Sequence, residues 1–374
     1  MSLTRKEEPM NRKFPTVDAD GHLEEVHVNW KERLPQRYQA MAPERRPAGN
    51  GQSRLFIEGK AWPKPSGPGL GVGGPYSRPH PRREGMQDPK ARLVDMDSEG
   101  VDVAVLFGGS FAGTIPALED AALAIELARA RNTWVAEYCA QNPSRLKGTA
   151  VLPQQDIPAS VTELRRAVTE LGFVGVSLLP NLRGRHMADP YFFPIYEEAE
   201  RVNVPICVHM FLGRYGSEAT GTTRVDKFFY SHLFGHVFEQ MIALSVVLGE
   251  GLLDRFPKLR FVFLESGCGW VPYWFNRLDE HQEVLGVQLP ALKTKPSELL
   301  QRGQLYFSCE PDETELAHVV DTIGDDWIVF ASDYSHFDSR FPGASEPIVE
   351  HSKLGDVSKR KILNDNSRRL YPLG

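Results

Sequence analysis

LRFVFLE, residues 259–265, places four large apolar residues in a row, Phe261 to Leu264, and then stops on an acid. Successive side chains of a strand point to opposite faces, so a run without polar alternation is buried on both of them. That is the signature of a parallel sheet covered by helices. Runs of the same kind recur on either side: FPTVDAD (14–20), VDVAVLF (101–107), LKGTAVLP (146–153), FVGVSLLP (173–180), VPICVHM (204–210), QLYFSCE (304–310) and DWIVFASD (326–333). Between them, ALEDAALAIELARARNTWVAEYCAQ (117–141), ASVTELRRAVTEL (159–171) and YFFPIYEEAERV (191–202) carry apolar residues at helical spacing. Pro194 suits a first turn and not an interior, so the third of these helices is expected to begin beside it. Repeated βα units of this number predict an α/β fold, a (β/α)8 TIM-type barrel forming one domain over residues 1–374.

Two stretches interrupt the repeat. Residues 23–90 contain ERRPAGNGQSR and PKPSGPGLGVGGPYSRPHPRR, whose proline and glycine content predicts an irregular insertion that leaves the first strand at the catalytic end and covers the barrel mouth. Its glycines neither follow a strand nor open a helix, so they make no dinucleotide fingerprint. FLGRYGSEATGTTRVDKFFYSHLFGHVFEQM, after the fifth strand, lies where a second lid or substrate loop would.

Composition narrows the function. The 374 residues hold 43 Lys plus Arg against 49 Asp plus Glu, a net charge of −6 with no long run of either sign. A nucleic-acid stripe and a polybasic membrane patch are thereby excluded, and a small-molecule substrate is expected. Cys139, Cys207, Cys268 and Cys309 form no CxxC pair and sit in apolar patterns, as reduced thiols of a cytoplasmic protein do. MSLTRKEEPMNRKFPT lacks the apolar core of a signal peptide, and no stretch reaches the roughly 18 uninterrupted apolar residues of a membrane span.

Barrel enzymes take their catalytic groups from the C-terminal ends of strands. Asp20 and His22 are two apart on one strand face, His209 ends the fifth strand, Glu265 the sixth and Asp333 the eighth. An acid after a strand can simply cap a helix, and a lone histidine can be core; five such groups at one end of one barrel point to a metal site. Imidazole and carboxylate without thiolate suit a divalent metal, Zn²⁺ first, with Mn²⁺ or Fe²⁺ also fitting. Glu310 ends the seventh strand, His336 follows Asp333 by three, and His232 and His236 share a helix face, so these four could hold a second metal or support the first. Arg214, Arg224 and Arg340 lie in loops where a guanidinium could pair with a substrate carboxylate. Trp270, Tyr273, Trp274 and Phe275 follow the Glu265 turn on an expected helix, mainly as core.

VDADGH followed by Trp30, then VHMF, LLDRFPKLRFVFLESGCGWVPYWFNRLD and FASDYSHFD, occur in this order across nearly the whole chain. In these blocks the sequence resembles the amidohydrolase superfamily, in the branch that includes the aminocarboxymuconate-semialdehyde and γ-resorcylate decarboxylases. The resemblance implies a distorted (β/α)8 barrel, a dimer or higher homo-oligomer, and one catalytic divalent metal with Asp20, His22, His209 and Asp333 at the matching ligand positions. The departures are informative. The first motif is Asp20-Gly21-His22 where His-x-His is common, which adds negative charge and makes a harder site. SLLP ends the fourth strand, where binuclear members carry a carboxylated lysine, and Glu265 stands where the decarboxylases have a catalytic histidine.

The reaction class that the resemblance implies for these residues is metal-assisted cleavage of a small carboxylated, cyclic or aromatic substrate, by loss of CO2 or by hydrolysis, with Asp333 and Glu265 as acid and base. Two alternatives belong to other classes: a dinuclear Fe or Fe/Mn oxygenase, and a non-catalytic barrel subunit supporting a catalytic partner.

Overall fold

The computed structural model describes residues 13–47, 53–77 and 83–374. The remainder of the N-terminal segment and of the proline- and glycine-rich insertion, 1–12, 48–52 and 78–82, lies outside the described residues.

Each of the eight apolar runs forms a strand: β1 (Val17–His22), β2 (Val103–Phe107), β3 (Leu146–Val151), β4 (Gly175–Leu178), β5 (Ile206–Val208), β6 (Phe261–Phe263), β7 (Leu305–Cys309) and β8 (Ile328–Phe330). They pair in chain order, all parallel. The ring closes where the His22 N–H donates to Tyr334 O at 2.7 Å and the Asp333 N–H to Asp20 O at 3.0 Å. Closure therefore ties the first and last strands together at the residues expected to hold the metal.

Outside the ring run α1 (Pro89–Glu99), α2 (Ala121–Cys139), α3 (Ile157–Thr169), α4 (Phe193–Arg201), α5 (Phe228–Gly249), α6 (Val271–Leu285) and α7 (Leu316–Ile323). Three begin on aspartate N-caps: Asp88, Asp120 and Asp156 accept the N–H groups of Lys90, Leu123 and Ala159. Pro194 stands in the first turn of α4, as its fixed φ requires. Alternation along the strands separates two apolar layers. Val103, Val105, Val262 and Val329 pack inside the ring, while Ala104, Leu106, Phe263 and Phe330 pack against the helices.

β1 departs from strict alternation. Val17 and Ala19 belong to the inner layer, so Asp20 and His22 would face the helices if the period of two continued. The register against β2 shifts between Asp18 and Gly21, and this bulge turns Asp20 and His22 inward. Asp18 stays outside, where the Ser332 N–H and hydroxyl donate to it at 2.9 and 2.6 Å and Arg92 approaches to 3.7 Å. Gly21 is required here, because a Cβ would overlap the Arg92 guanidinium and come within 2.7 Å of Asp18 Oδ2. Gly21→Ala is expected to lower unfolding stability by about 1–3 kcal/mol in urea titration and to weaken metal binding, since relief of the overlap must move β1 or Arg92. Unchanged stability would show that the pair gives way freely.

The expectation of an irregular insertion is corrected in part. Glu44–Pro47, Ser53–Ile57 and Lys60–Trp62 form a three-stranded antiparallel sheet. Leu55, Ile57 and Trp62 are buried while their strand neighbours are not, a period-two signal that the surrounding glycines and prolines mask. From Lys64 to Ser77 the chain has no regular structure, but it is pinned to the loop after β5: Lys64 N–H donates to Gly213 O at 2.7 Å and Gly69 N–H to Thr222 O at 2.9 Å.

By length and mean hydropathy α5 would also suit a membrane span. Its buried polar residues bind it to the barrel instead. Gln240 Nε2 donates to Val208 O and Leu264 O at 2.8 and 2.9 Å, bracing the ends of β5 and β6, and Glu239 accepts from Asn181 at 2.7 Å.

Candidate metal centre

Asp20, His22 and His209 meet at the floor of the barrel mouth, all three buried. His22 Nε2 lies 3.4 Å from Asp20 Oδ1, and His209 Nε2 lies 3.7 Å from the same oxygen. On the other side His22 Nε2 is 3.0 Å from Asp333 Oδ1 and 3.5 Å from Glu265 Oε1. His336 completes that side, with Nδ1 2.8 Å from Asp333 Oδ1 and 3.6 Å from Glu265 Oε1. Two ligand-type groups result, Asp20-His22-His209 and His22-Glu265-Asp333-His336, each with its atoms within 4.8 Å of one another and sharing His22.

The local backbone explains why these side chains converge. Val262 and Leu264 face inward, so a continued strand would aim Glu265 outward; instead Glu265 adopts φ +54° and Asp333 φ +49°. Left-handed backbone at a non-glycine residue costs on the order of 1–3 kcal/mol, and such strain gathers at functional sites. Gly108 O lies 3.3 Å from His22 Nδ1. A carbonyl only accepts, so Nδ1 carries a proton and Nε2 is the nitrogen turned to the cluster. The His209 ring is sandwiched by Phe107 and Phe211 at 5.3 and 4.6 Å between centroids.

A divalent cation fits these residues. Asp20 Oδ1 and Oδ2, His22 Nε2, both His209 nitrogens and Glu265 Oε2 are buried without a hydrogen-bond partner. Buried polar atoms are almost always satisfied, and leaving so many bare in one place is costly unless something positive binds among them. The protonation pattern points the same way. Burial, followed by the charges of Glu265 and Asp333, pushes Asp20 well above the ordinary carboxylate range. Burial and the neighbouring His22 hold His209 well below the usual imidazole value, so it is neutral and free to ligate.

Around this floor the other titratable groups sort by position. Burial and the Asp333 charge raise Glu265 to about 7. His336 is driven by Asp333 and Glu265, against the effect of burial, up to about 9 and pairs with Asp333 as a cation. His236 Nδ1 is 3.1 Å from Glu265 Oε2, and His232, one turn back, is 3.5 Å from Asp338 Oδ2. Burial lowers both of these histidines to about 4. Glu310 remains exposed at the rim and belongs to neither ligand group.

Of the arginines expected to pair with substrate, Arg214 is engaged elsewhere. Arg214 is buried, and its guanidinium donates to Phe211 O, Asn181 O and Met210 Sδ. Arg340 pairs with Glu346 at 3.3 Å, and Arg224 is exposed on its loop. None of the three lines the cavity beside the cluster, where the cationic side chain among the described residues is Lys227. Three of the four aromatics after Glu265 are packing, as expected: Trp270 and Phe275 stand against Phe307, and Trp274 donates to Met241 O at 3.0 Å, whereas Tyr273 is 59% exposed and not core. Sequence reasoning missed Gln240 and Arg92. Arg92 is fully buried, donates to His22 O at 3.0 Å and lies over the Tyr334 ring; its one sequence signal is a charge at an inward position of α1.

The amidohydrolase family model matches residues 17–373, from the first strand to the last turn. The chain belongs to the amidohydrolase family. Like other members of that family it is a metal-dependent enzyme, and its curated relatives are mostly decarboxylases. It is 27% identical over 289 residues to a 2-amino-3-carboxymuconate-6-semialdehyde decarboxylase of Dictyostelium discoideum, covering 75% of each chain. A γ-resorcylate decarboxylase of Polaromonas is 27% identical over 301 residues, covering 77% of this amidohydrolase and 88% of the relative. A 2-keto-4-carboxy-3-hexenedioate hydratase of Sphingobium is 25% identical over 310 residues, with 78% and 83% covered. Among solved structures, 5-carboxyvanillate decarboxylase from Novosphingobium aromaticivorans, complexed with manganese and 4-hydroxy-3-methoxy-5-nitrobenzoic acid, shares the fold at a TM-score of 0.69 and 20% identity, covering 99% of both chains.

Proposed function

We propose that this enzyme decarboxylates an aromatic or otherwise unsaturated carboxylic acid, with Asp20, His22, His209 and Asp333 holding one divalent cation and Glu265 supplying the proton that replaces CO2. The observation that carries the reading is the buried, unsatisfied ligand set with the Glu265 carboxyl beside it, 3.5 Å from His22 Nε2. Loss of CO2 leaves an electron pair on carbon and calls for an acid; hydrolysis calls first for a base to activate water. The decarboxylases among the relatives support the same choice.

When bound, the cation supplies fixed positive charge that anchors a substrate carboxylate and draws electron density from the ring. The residues do the rest. His22, held by Gly108 O, and His209, held between two phenyl rings, keep their ligand nitrogens in place. The bond from ring carbon to carboxylate breaks, its electron pair stays on the carbon, and the proton of the Glu265 carboxyl goes to that carbon. Glu265 is then reprotonated from solvent through the mouth. His336, charged and paired with Asp333, keeps that carboxylate ionised.

Manganese is the metal we assign ahead of zinc. Two carboxylates beside two imidazoles make an oxygen-rich set of the kind that suits Mn²⁺, and the neighbouring decarboxylase structure contains manganese. We assign the segment from Trp62 to Ser77 the role of a cover over the mouth, on the strength of its attachment to the loop after β5.

The test is a product assay. Manganese-loaded enzyme in D2O, given a panel of ortho-hydroxybenzoic acids, is expected to release one CO2 and to place one deuterium at the vacated carbon. Turnover that yields a hydrolysis product and no CO2 would overturn the decarboxylase reading.

A further inference from the structure

We propose that the substrate reaches from the cation cluster into an aromatic-walled cavity beside it, and is therefore a bulky monocarboxylate carrying a second apolar ring or its equivalent. This inference rests on the carboxylate-binding reading of the cluster given above.

The cavity has a volume of about 670 Å³ and lies between the insertion, the start of α5 and the loop after β8. That is within the roughly 300–1,000 Å³ of cavities that enclose drug-sized ligands, and a single-ring acid would leave most of it unfilled. It lies one layer of side chains away from the cluster. His232, which lines it, is one helical turn from His236 and so from Glu265, while Phe337 and Asp338, which also line it, follow His336 in sequence. Side-chain exposure rises from 1% at Asp20 through 11% at Glu265 to 30% at His336 and 35% at His232, so the site becomes more open towards the side on which the cavity lies.

Its walls suit a flat apolar body. The Phe337 ring is stacked on Tyr76 at 4.6 Å and set against Phe228 at 5.8 Å and His232 at 5.1 Å. Aromatic faces grouped in this way favour another ring by stacking and edge contact. At the lip, Phe229 and Leu233 leave 69% and 60% of their surface in water. Large apolar side chains exposed at the edge of a cavity are characteristic of ligand-binding grooves. The charges discourage a second carboxylate in this part of the substrate: Asp226 and Asp338 line the cavity against the one cation Lys227, among the described residues.

The experiment compares three acids by calorimetry on manganese-loaded Glu265→Gln protein, which binds acids with little turnover: a one-ring ortho-hydroxybenzoate, a two-ring hydroxynaphthoate, and a two-ring dicarboxylate. The naphthoate is expected to bind at least tenfold more tightly than the one-ring acid, the second carboxylate to reverse that gain, and Phe228→Ala to bring the ratio of the first two towards one. Equal binding of the one-ring and two-ring acids would overturn the inference and leave the decarboxylase reading standing. Failure of every acid to bind would remove the carboxylate-binding reading, and the inference with it.

Discussion

His22→Ala and His209→Ala proteins are expected to fold, to lose nearly all bound cation and to show no measurable turnover. Both imidazoles are fully buried, yet His22 Nε2 and both His209 nitrogens have no hydrogen-bond partner, so they contribute to the site more than to the cohesion of the barrel. His22 matters most because its Nε2 belongs to both ligand groups. The two states of the protein separate the effects. A cation that binds only the folded chain raises its melting temperature by mass action, so added Mn²⁺ should stabilise the wild type and leave either variant unmoved. Without metal, each variant should melt near the wild type, because removal of an unsatisfied buried polar group offsets part of the lost packing. Circular dichroism, metal content and melting with and without Mn²⁺ would be measured together. A variant that kept its metal and its metal-induced stabilisation would show that the ligands are elsewhere.

The second large effect is expected at Glu265. Glu265→Gln keeps the shape of the side chain and removes the transferable proton, so kcat should fall by about a hundredfold or more while bound metal stays constant. KM should change little, since the cation and not this group anchors the carboxylate. The position bears the strain of a left-handed glutamate and the repulsion of Asp333, which raises its proton affinity after burial has done so. Those conditions serve an acid and not a cap. Loss of half the metal on substitution would make Glu265 a ligand, and full turnover with full metal would leave it no chemical role.

Much of this site was legible before the fold. Asp20, His22, His209 and Asp333 end apolar runs, and a barrel gathers strand ends at one rim, so four separated positions had to meet wherever the ring closed. His232 and His236 were legible from a four-residue spacing that any helix converts into one face. The burial of Arg214 was not. Loop position says where Arg214 begins, but its guanidinium is buried against Phe211 O and Asn181 O, contacts made by backbone that no local pattern reveals. The antiparallel sheet at 44–62 was hidden for a related reason: its alternation of Leu55, Ile57 and Trp62 is shorter than the glycine and proline signals around it.

By itself the sequence determined the strand count, the parallel order and the rim at which the candidate ligands gather, because these depend on periodicities of two and 3.6 that are written residue by residue. Tertiary structure alone decided which way the decisive side chains point. Alternation would have turned Asp20, His22 and Glu265 away from the barrel interior; the bulge in β1 and the left-handed turn at Glu265 bring them back. Both devices exist only because neighbouring strands, Arg92 and Gln240 hold the backbone in conformations it would not adopt alone. The same holds for the cavity, whose walls come from the insertion, α5 and the loop after β8, and whose size is a property of their packing and of none of them separately.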